Sequence, residues 1–183
     1  MIRMWCWRMV GIAVVFGSYF FHFWEGDIFT HVYILNLISG VGLGLLLFGI
    51  SFGLTSQGQV FDLSCLVRKR IWVSKDFWKG VWIYGVSTSL WEELIWRVCL
   101  QSVFLHFWGN LLSITLTAAL FTISHVHRFQ GRAIRIVEFF IFSILLSFIF
   151  AITHHYWIVV LIHFIRNVLT VFFRFDLLEK KTY

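Results

Sequence analysis

Not one proline occurs in the 183 residues, so no ring breaks a helix from within and no proline-rich linker separates domains. Charge is scarce as well. Only 13% of the residues are charged, against roughly a quarter in soluble globular domains, which excludes an ordinary water-soluble fold. The three cysteines, Cys6, Cys65 and Cys99, stand at no metal-ligand spacing. Cys6 and Cys65 are expected to face a reducing cytoplasm and Cys99 to lie in a span, so no disulfide is expected. The zinc-protease signature H-E-x-x-H, the nucleophile motif G-x-S-x-G and a phosphate-binding glycine loop are all missing, and with them the commonest soluble hydrolase and nucleotide-binding chemistries.

What is there is apolar: 60% hydrophobic residues, 20% aromatic and a mean hydropathy of +0.84. A hydrocarbon core is crossed by about 20 apolar residues in a helix. Runs of that kind predict an all-α, polytopic membrane bundle with helices over residues 9–24, 31–54, 81–107, 111–127, 137–153 and 156–173. Arg3 and Arg8 precede the first run as in a signal peptide, but no A-x-A cleavage site follows it, so it is read as a span. With no linker or internal repeat, residues 1–183 are expected to form one membrane domain.

Positive charge tests the count, since short cytoplasmic loops collect Lys and Arg. With six spans, thirteen of the fifteen basic residues fall on one side, from Arg3 and Arg8 through the 68–79 segment and Arg128, Arg132 and Arg135 to Lys180 and Lys181. Glu25, Asp27, Asn110, His154 and His155 fall on the other. Both termini are therefore expected to be cytoplasmic. The net charge of +6 is accounted for by topology and by anionic lipid, and nucleic acid is not expected as a partner. The 57–79 stretch mixes apolar, aromatic and basic residues, and reads either as a helix lying along the cytoplasmic surface or as a basic connecting loop.

Against this background "SLWEELIWRV", residues 89–98, stands out, with Glu92, Glu93 and Arg97 at membrane depth. A charge at the bilayer centre costs about 2.5 to 3.5 kcal/mol even on the translocon scale, so a cluster there calls for a compensating role. Glu93 and Arg97 are four apart and share a helix face, whereas Glu92 points about 100° away. Glu93 is then neutralised by Arg97, and Glu92 is left for another task. Phe121 and His125 are likewise four apart on the fourth run, and His163 and Asn167 on the sixth. Three helices thus each turn a polar stripe toward one cavity.

The segments E-E-x-x-x-R from Glu92, F-x-x-x-H from Phe121 and H-x-x-x-N from His163, in that order on successive apolar runs, resemble the CAAX-processing and bacteriocin-processing family of intramembrane proteases, which includes the type II CAAX prenyl endopeptidase. The resemblance covers residues 81–173. It implies that Glu92, with His125, deprotonates a water that attacks the scissile carbonyl. His163 and Asn167 would stabilise the oxyanion, with Glu93, Arg97 and Phe121 in support and no metal or other cofactor. The substrate would be a membrane-associated or lipid-anchored peptide or protein, and the setting a bacterial cytoplasmic membrane. Physical chemistry fits: a buried carboxylate paired with an imidazole serves as a base, and fixed donors stabilise a tetrahedral oxyanion.

The heights pose a difficulty. From the predicted ends, Glu92 sits near mid-membrane, His125 near the cytoplasmic end and His163 nearer the other side, a spread of roughly 10 Å. Either the boundaries are misplaced by a turn or the helices tilt and end unevenly; the pocket is expected to open to the cytoplasm. Taken singly, the polar residues also admit plainer roles. Glu92, Glu93 and Arg97 alone make a structural ion cluster, and a single intramembrane histidine makes an interhelical hydrogen bond. Arg166 snorkels, pairs with Glu93 or meets a substrate carboxylate. A zinc site on Glu92, His125 and His163, a non-catalytic immunity or scaffold protein, and a proton-coupled transporter are the competing readings, the last disfavoured by the absence of proline and repeats. The sequence carries no signal of oligomeric state. The glycines of residues 39–49 are read as permitting close helix packing.

Overall fold

A computed structural model describes residues 34–55, 75–129 and 132–180. The expected first span, the 57–74 part of the basic segment, and Cys6 and Cys65 lie outside them. Among the described residues every element is a helix, as a chain in lipid requires when all backbone groups must bond internally. Helix α1 spans Ile34–Thr55. A helical run broken at Gly109 then passes through α2 (Lys75–Gly80), a π-helical segment (Val81–Ser87), α3 (Thr88–Glu93), a second π-helical segment (Leu94–Gln101) and α4 (Ser102–His125), closing in a 3₁₀ turn over Val126–Arg128. α5 (Ala133–Thr153) and α6 (Tyr156–Lys180) complete the bundle. Ile34–Gly53, Lys75–His125 and Ala133–Thr153 are long and apolar enough to cross a membrane, and Tyr156–Phe172 is a shorter apolar helix.

The expected third and fourth spans are thus two helices, and the chain turns back on itself where they meet, at Gly109. Its φ of 74° and ψ of 179° lie in a region open essentially to glycine alone. Beyond it α4 runs antiparallel to the second π segment: the Trp96 and Phe121 rings meet at 5.5 Å, and Arg97 sits 4.6 Å above the Phe121 ring. α5 ends at His154, which takes the left-handed conformation with φ 52° and donates its N–H to Phe150 O at 2.8 Å. Only His154 and His155 separate it from α6.

The bundle is apolar outside and polar inside. Ile34, Trp82, Leu111, Ile123 and Ile152 are exposed, while Glu93, Arg97, Gln101, Ser143 and Ser147 are buried. Lipid is as apolar as leucine, so an outward apolar surface costs nothing there and interior contacts select small and polar residues. Val98, Phe142, Leu146, Tyr156, Val159 and Ile162 form the main core at the Gly109 end of the site. Phe77 and Phe172, rings 5.8 Å apart, join α2 to the distal part of α6 at the other end.

α1 packs on α6 through the glycines expected to allow close approach. A Cβ at Gly44 would lie 2.8 Å from Ile165 Cβ, and one at Gly40 would lie 3.1 Å from Leu161, whereas Gly42 has nothing within 4 Å. Gly44→Leu accordingly pushes α1 off α6 and lowers stability by about 1–3 kcal/mol, and Gly42→Leu leaves it unchanged. Unfolding in detergent micelles compares the two; equal effects would mean that α1 does not seat on α6 in this register.

Candidate active site

α3 is a short piece of α-helix held between two π-helical segments, and it ends in Glu92 and Glu93. A π turn displaces carbonyls from their usual partners and recurs at functional sites. Here side chains add donors to carbonyls of these segments. Tyr156 Oη donates to Leu90 O at 2.8 Å, Thr88 Oγ1 to Ile83 O at 2.8 Å, and Asn167 Nδ2 to Tyr84 O at 3.0 Å and Ser89 Oγ at 3.3 Å. α6 thus grips the helix that bears the acids from both sides.

Around Glu92 two imidazoles converge. His125 Nε2 lies 3.3 Å from Glu92 Oε1, and His163 Nε2 lies 3.7 Å from Glu92 Oε2. The far nitrogens are pinned: His125 Nδ1 lies 2.8 Å from Phe121 O, and His163 Nδ1 lies 2.6 Å from Glu93 Oε1. His125 Nδ1 also lies 2.9 Å from Ser124 Oγ; in the tautomer with the proton on Nδ1 it donates to Phe121 O and leaves Nε2 facing Glu92 as an acceptor. A proton taken up by Glu92 can then be shared with Nε2 across 3.3 Å. Phe121 floors the site, its ring 4.6 Å from that of His125 and 6.1 Å from that of His163. Phe139 stacks on Phe121 at 5.2 Å and meets His125 at 5.0 Å.

The difficulty over heights is resolved by stagger. α5 ends at Thr153 and α6 begins at Tyr156 as expected, so the boundaries stand. Tyr156 is already buried in the core with Val98, which brings His163 level with Glu92 and Glu93.

Glu93 keeps its expected partner and gains a second. Glu93 serves both Arg97, whose Nε lies 3.3 Å from its Oε2 with both side chains fully buried, and His163. Its support of the site is therefore direct. Asn167, expected to donate to an oxyanion, turns its Nδ2 to Tyr84 O and Ser89 Oγ in this structure, contacts that tie α6 to the segment bearing the acids. Asn167→Ala then strips a hydrogen bond from the Tyr84 carbonyl and destabilises the fold by about 1–3 kcal/mol, with lost activity following lost stability. An oxyanion donor would instead lower kcat by about 100-fold or more at unchanged stability. Melting temperature and kcat measured on one preparation separate the two.

Sequence reasoning missed Glu138. This acid on α5 is buried and takes both Nη2 contacts of Arg166, at 2.9 and 3.1 Å, and the guanidinium lies 4.2 Å from the Phe142 ring centre and 5.2 Å from that of Phe139. Arg166 is thus neither snorkelling nor paired with Glu93. The missed signal was Arg166 itself, since an intramembrane arginine without an acid at i±4 must find one on another helix.

Among the described residues no group of three His, Cys, Asp or Glu is arranged to hold a metal ion. His154 and His155, at the far end of the bundle, take no part in the site. Compared with known families, residues 74–169, just over half of the chain, match the family model described as type II CAAX prenyl endopeptidase Rce1-like. No curated protein and no solved structure matches the chain.

Proposed function

Because the chain belongs to the type II CAAX prenyl endopeptidase Rce1-like family, a family of membrane proteases, we propose that it is a glutamate-type intramembrane endopeptidase acting on a membrane-associated or lipid-anchored peptide. The observation that carries this reading is the convergence of two imidazole Nε2 atoms, from α4 and α6, on the carboxylate of Glu92.

Glu92, assisted by His125, takes a proton from a water molecule. The water oxygen bonds to the scissile carbonyl carbon and the carbonyl π electrons move to oxygen. His163 Nε2, when both its nitrogens are protonated, donates to that oxyanion, with Glu93 at 2.6 Å as counter-charge on Nδ1. Collapse expels the amine, which leaves with the proton held between Glu92 and His125. Glu93 and Arg97 flank this pair as a fully buried ion pair at 3.3 Å. Preorganised charges of this kind act strongly where water is excluded.

Six spans with both termini in the cytoplasm of a bacterium, a single domain over residues 1–183, and a pocket open to the cytoplasmic end belong to the same proposal. In support, Lys75, Lys79, Arg132 and Arg135 lie at one end of the described bundle, and Gly109, Asn110, His154 and His155 at the other. A prenylated CAAX peptide incubated with the full chain in lipid vesicles tests the activity. Cleavage into two fragments, resolved by mass spectrometry and unaffected by a chelator, is expected. Loss of cleavage with chelator and its return with zinc would transfer the role of Glu92, His125 and His163 to metal binding.

A further inference from the structure

Glu93, Arg97 and Gln101 recur every four residues along one face of α3 and the second π segment, and α5 answers with Ser143 and Ser147. Arg97 Nη2 donates to Ser143 Oγ at 3.1 Å, and Gln101 Nε2 donates to Ser147 O at 2.8 Å. α4 runs antiparallel to this face, with His125 at Glu92 and Phe121 at Arg97. Continued by one turn, that antiparallel register sets Thr117 against Gln101.

These residues are almost entirely buried, with Glu93, Arg97, Thr117 and Ser147 at 0% exposure and Gln101 at 1%. Yet Glu93 Oε2, Arg97 Nε and Nη1, Gln101 Oε1, Thr117 Oγ1 and Ser147 Oγ have no hydrogen-bond partner in the protein. The first two of these atoms face each other as an ion pair at 3.3 Å, close enough for attraction but not aligned for a hydrogen bond. Of the seven such side-chain atoms among the described residues, only Arg166 Nε belongs to another cluster. Partnerless polar atoms are expensive in hydrocarbon. They are also not scattered: the acceptors Glu93 Oε2 and Gln101 Oε1, the Arg97 donors and the hydroxyls of Thr117 and Ser147 belong to helices that pack on one another. A buried water needs two to four polar partners, and buried waters sit where proteins leave polar groups unsatisfied.

We propose that Arg97, Gln101, Thr117 and Ser147 hold a file of ordered water molecules that extends from Glu93 toward the Gly109 end of the bundle. Its lower part is bound by Gln101 Oε1, Thr117 Oγ1 and Ser147 Oγ, its upper part by Arg97 Nε and Nη1 and by Glu93 Oε2. The existence of the file is independent of the protease reading. Its use as a reservoir that refills the site after each hydrolysis rests on that reading.

Gln101 is one of four glutamines in the chain, so its side-chain amide is resolved by selective ¹⁵N-Gln labelling of the full-length protein in lipid bilayers and assigned by its loss in Gln101→Leu. The probe is bulk water, through polarisation transfer from water protons in solid-state NMR. Rapid transfer to the Gln101 amide is expected, slowed at least about threefold in the double variant Thr117→Val, Ser147→Ala, which removes two of the partners a water needs. Helical content and melting temperature equal to those of the parent protein report that the fold is kept. A Gln101 amide that receives no more polarisation than lipid-facing side chains, or one whose transfer is unaffected in the double variant, overturns the proposal. No substrate enters the measurement, so a failed cleavage assay and a dry seam are separate results.

Discussion

Glu92→Gln abolishes peptide hydrolysis, lowering kcat by roughly 10³-fold or more, while the protein folds and accumulates as before. Glutamine is nearly isosteric, and its amide N–H₂ can still donate to His125 Nε2, which lies 3.3 Å from Glu92 Oε1. The packing of Phe121 against His125 is likewise preserved. What disappears is the ability to accept and hold a proton from water. Glu92 is the member of the pair suited to this, because its carboxylate keeps some solvent contact, with 18% side-chain exposure against 0% for Glu93. Initial rates with a prenylated CAAX peptide in vesicles, alongside melting temperatures, decide the matter. Cleavage within tenfold of the wild type would remove Glu92 from the chemistry.

Arg97→Met lowers stability by about 3–5 kcal/mol, the usual cost of stripping one partner from a buried ion pair. Arg97 and Glu93 are both fully buried with Nε 3.3 Å from Oε2, and Arg97 also holds α5 through Ser143. Removing the cation strands Glu93 with His163 as its remaining charged neighbour. The double variant Glu93→Gln, Arg97→Met recovers much of the stability, since no unpaired charge is left, but not the activity, because His163 Nδ1 loses its carboxylate anchor. A double-mutant cycle measured by unfolding reads the coupling. Additive effects would mean that the pair does not bind Arg97 to Glu93 energetically.

Much of this arrangement was legible in the sequence because lipid imposes simple rules. Apolar runs located α1, the second half of α4, α5 and α6, and the cost of intramembrane charge marked Glu92, Glu93, Arg97, His125 and His163. Less legible was anything set by distance between helices. The i, i+4 spacing of His163 and Asn167 puts both on one face, but one turn of travel carries Asn167 away from Glu92 to the Tyr84 carbonyl. Glu138 stayed unnoticed since its partner Arg166 is 28 residues distant. Within a uniformly apolar run, π and α periods leave the same pattern, so the segments flanking α3 carried no signal. The break expected between residues 107 and 111 falls where Gly109 turns the chain, and its backbone angles show how sharp the reversal is.

That reversal has a bearing on how molecules reach the protein. At the Gly109 end, the two described connections are a one-residue bend and the His154–His155 link, so neither offers a ledge on which a water-borne peptide can rest. For the proposed protease this favours approach sideways through the lipid or from the opposite compartment, which suits a cargo with a greasy anchor.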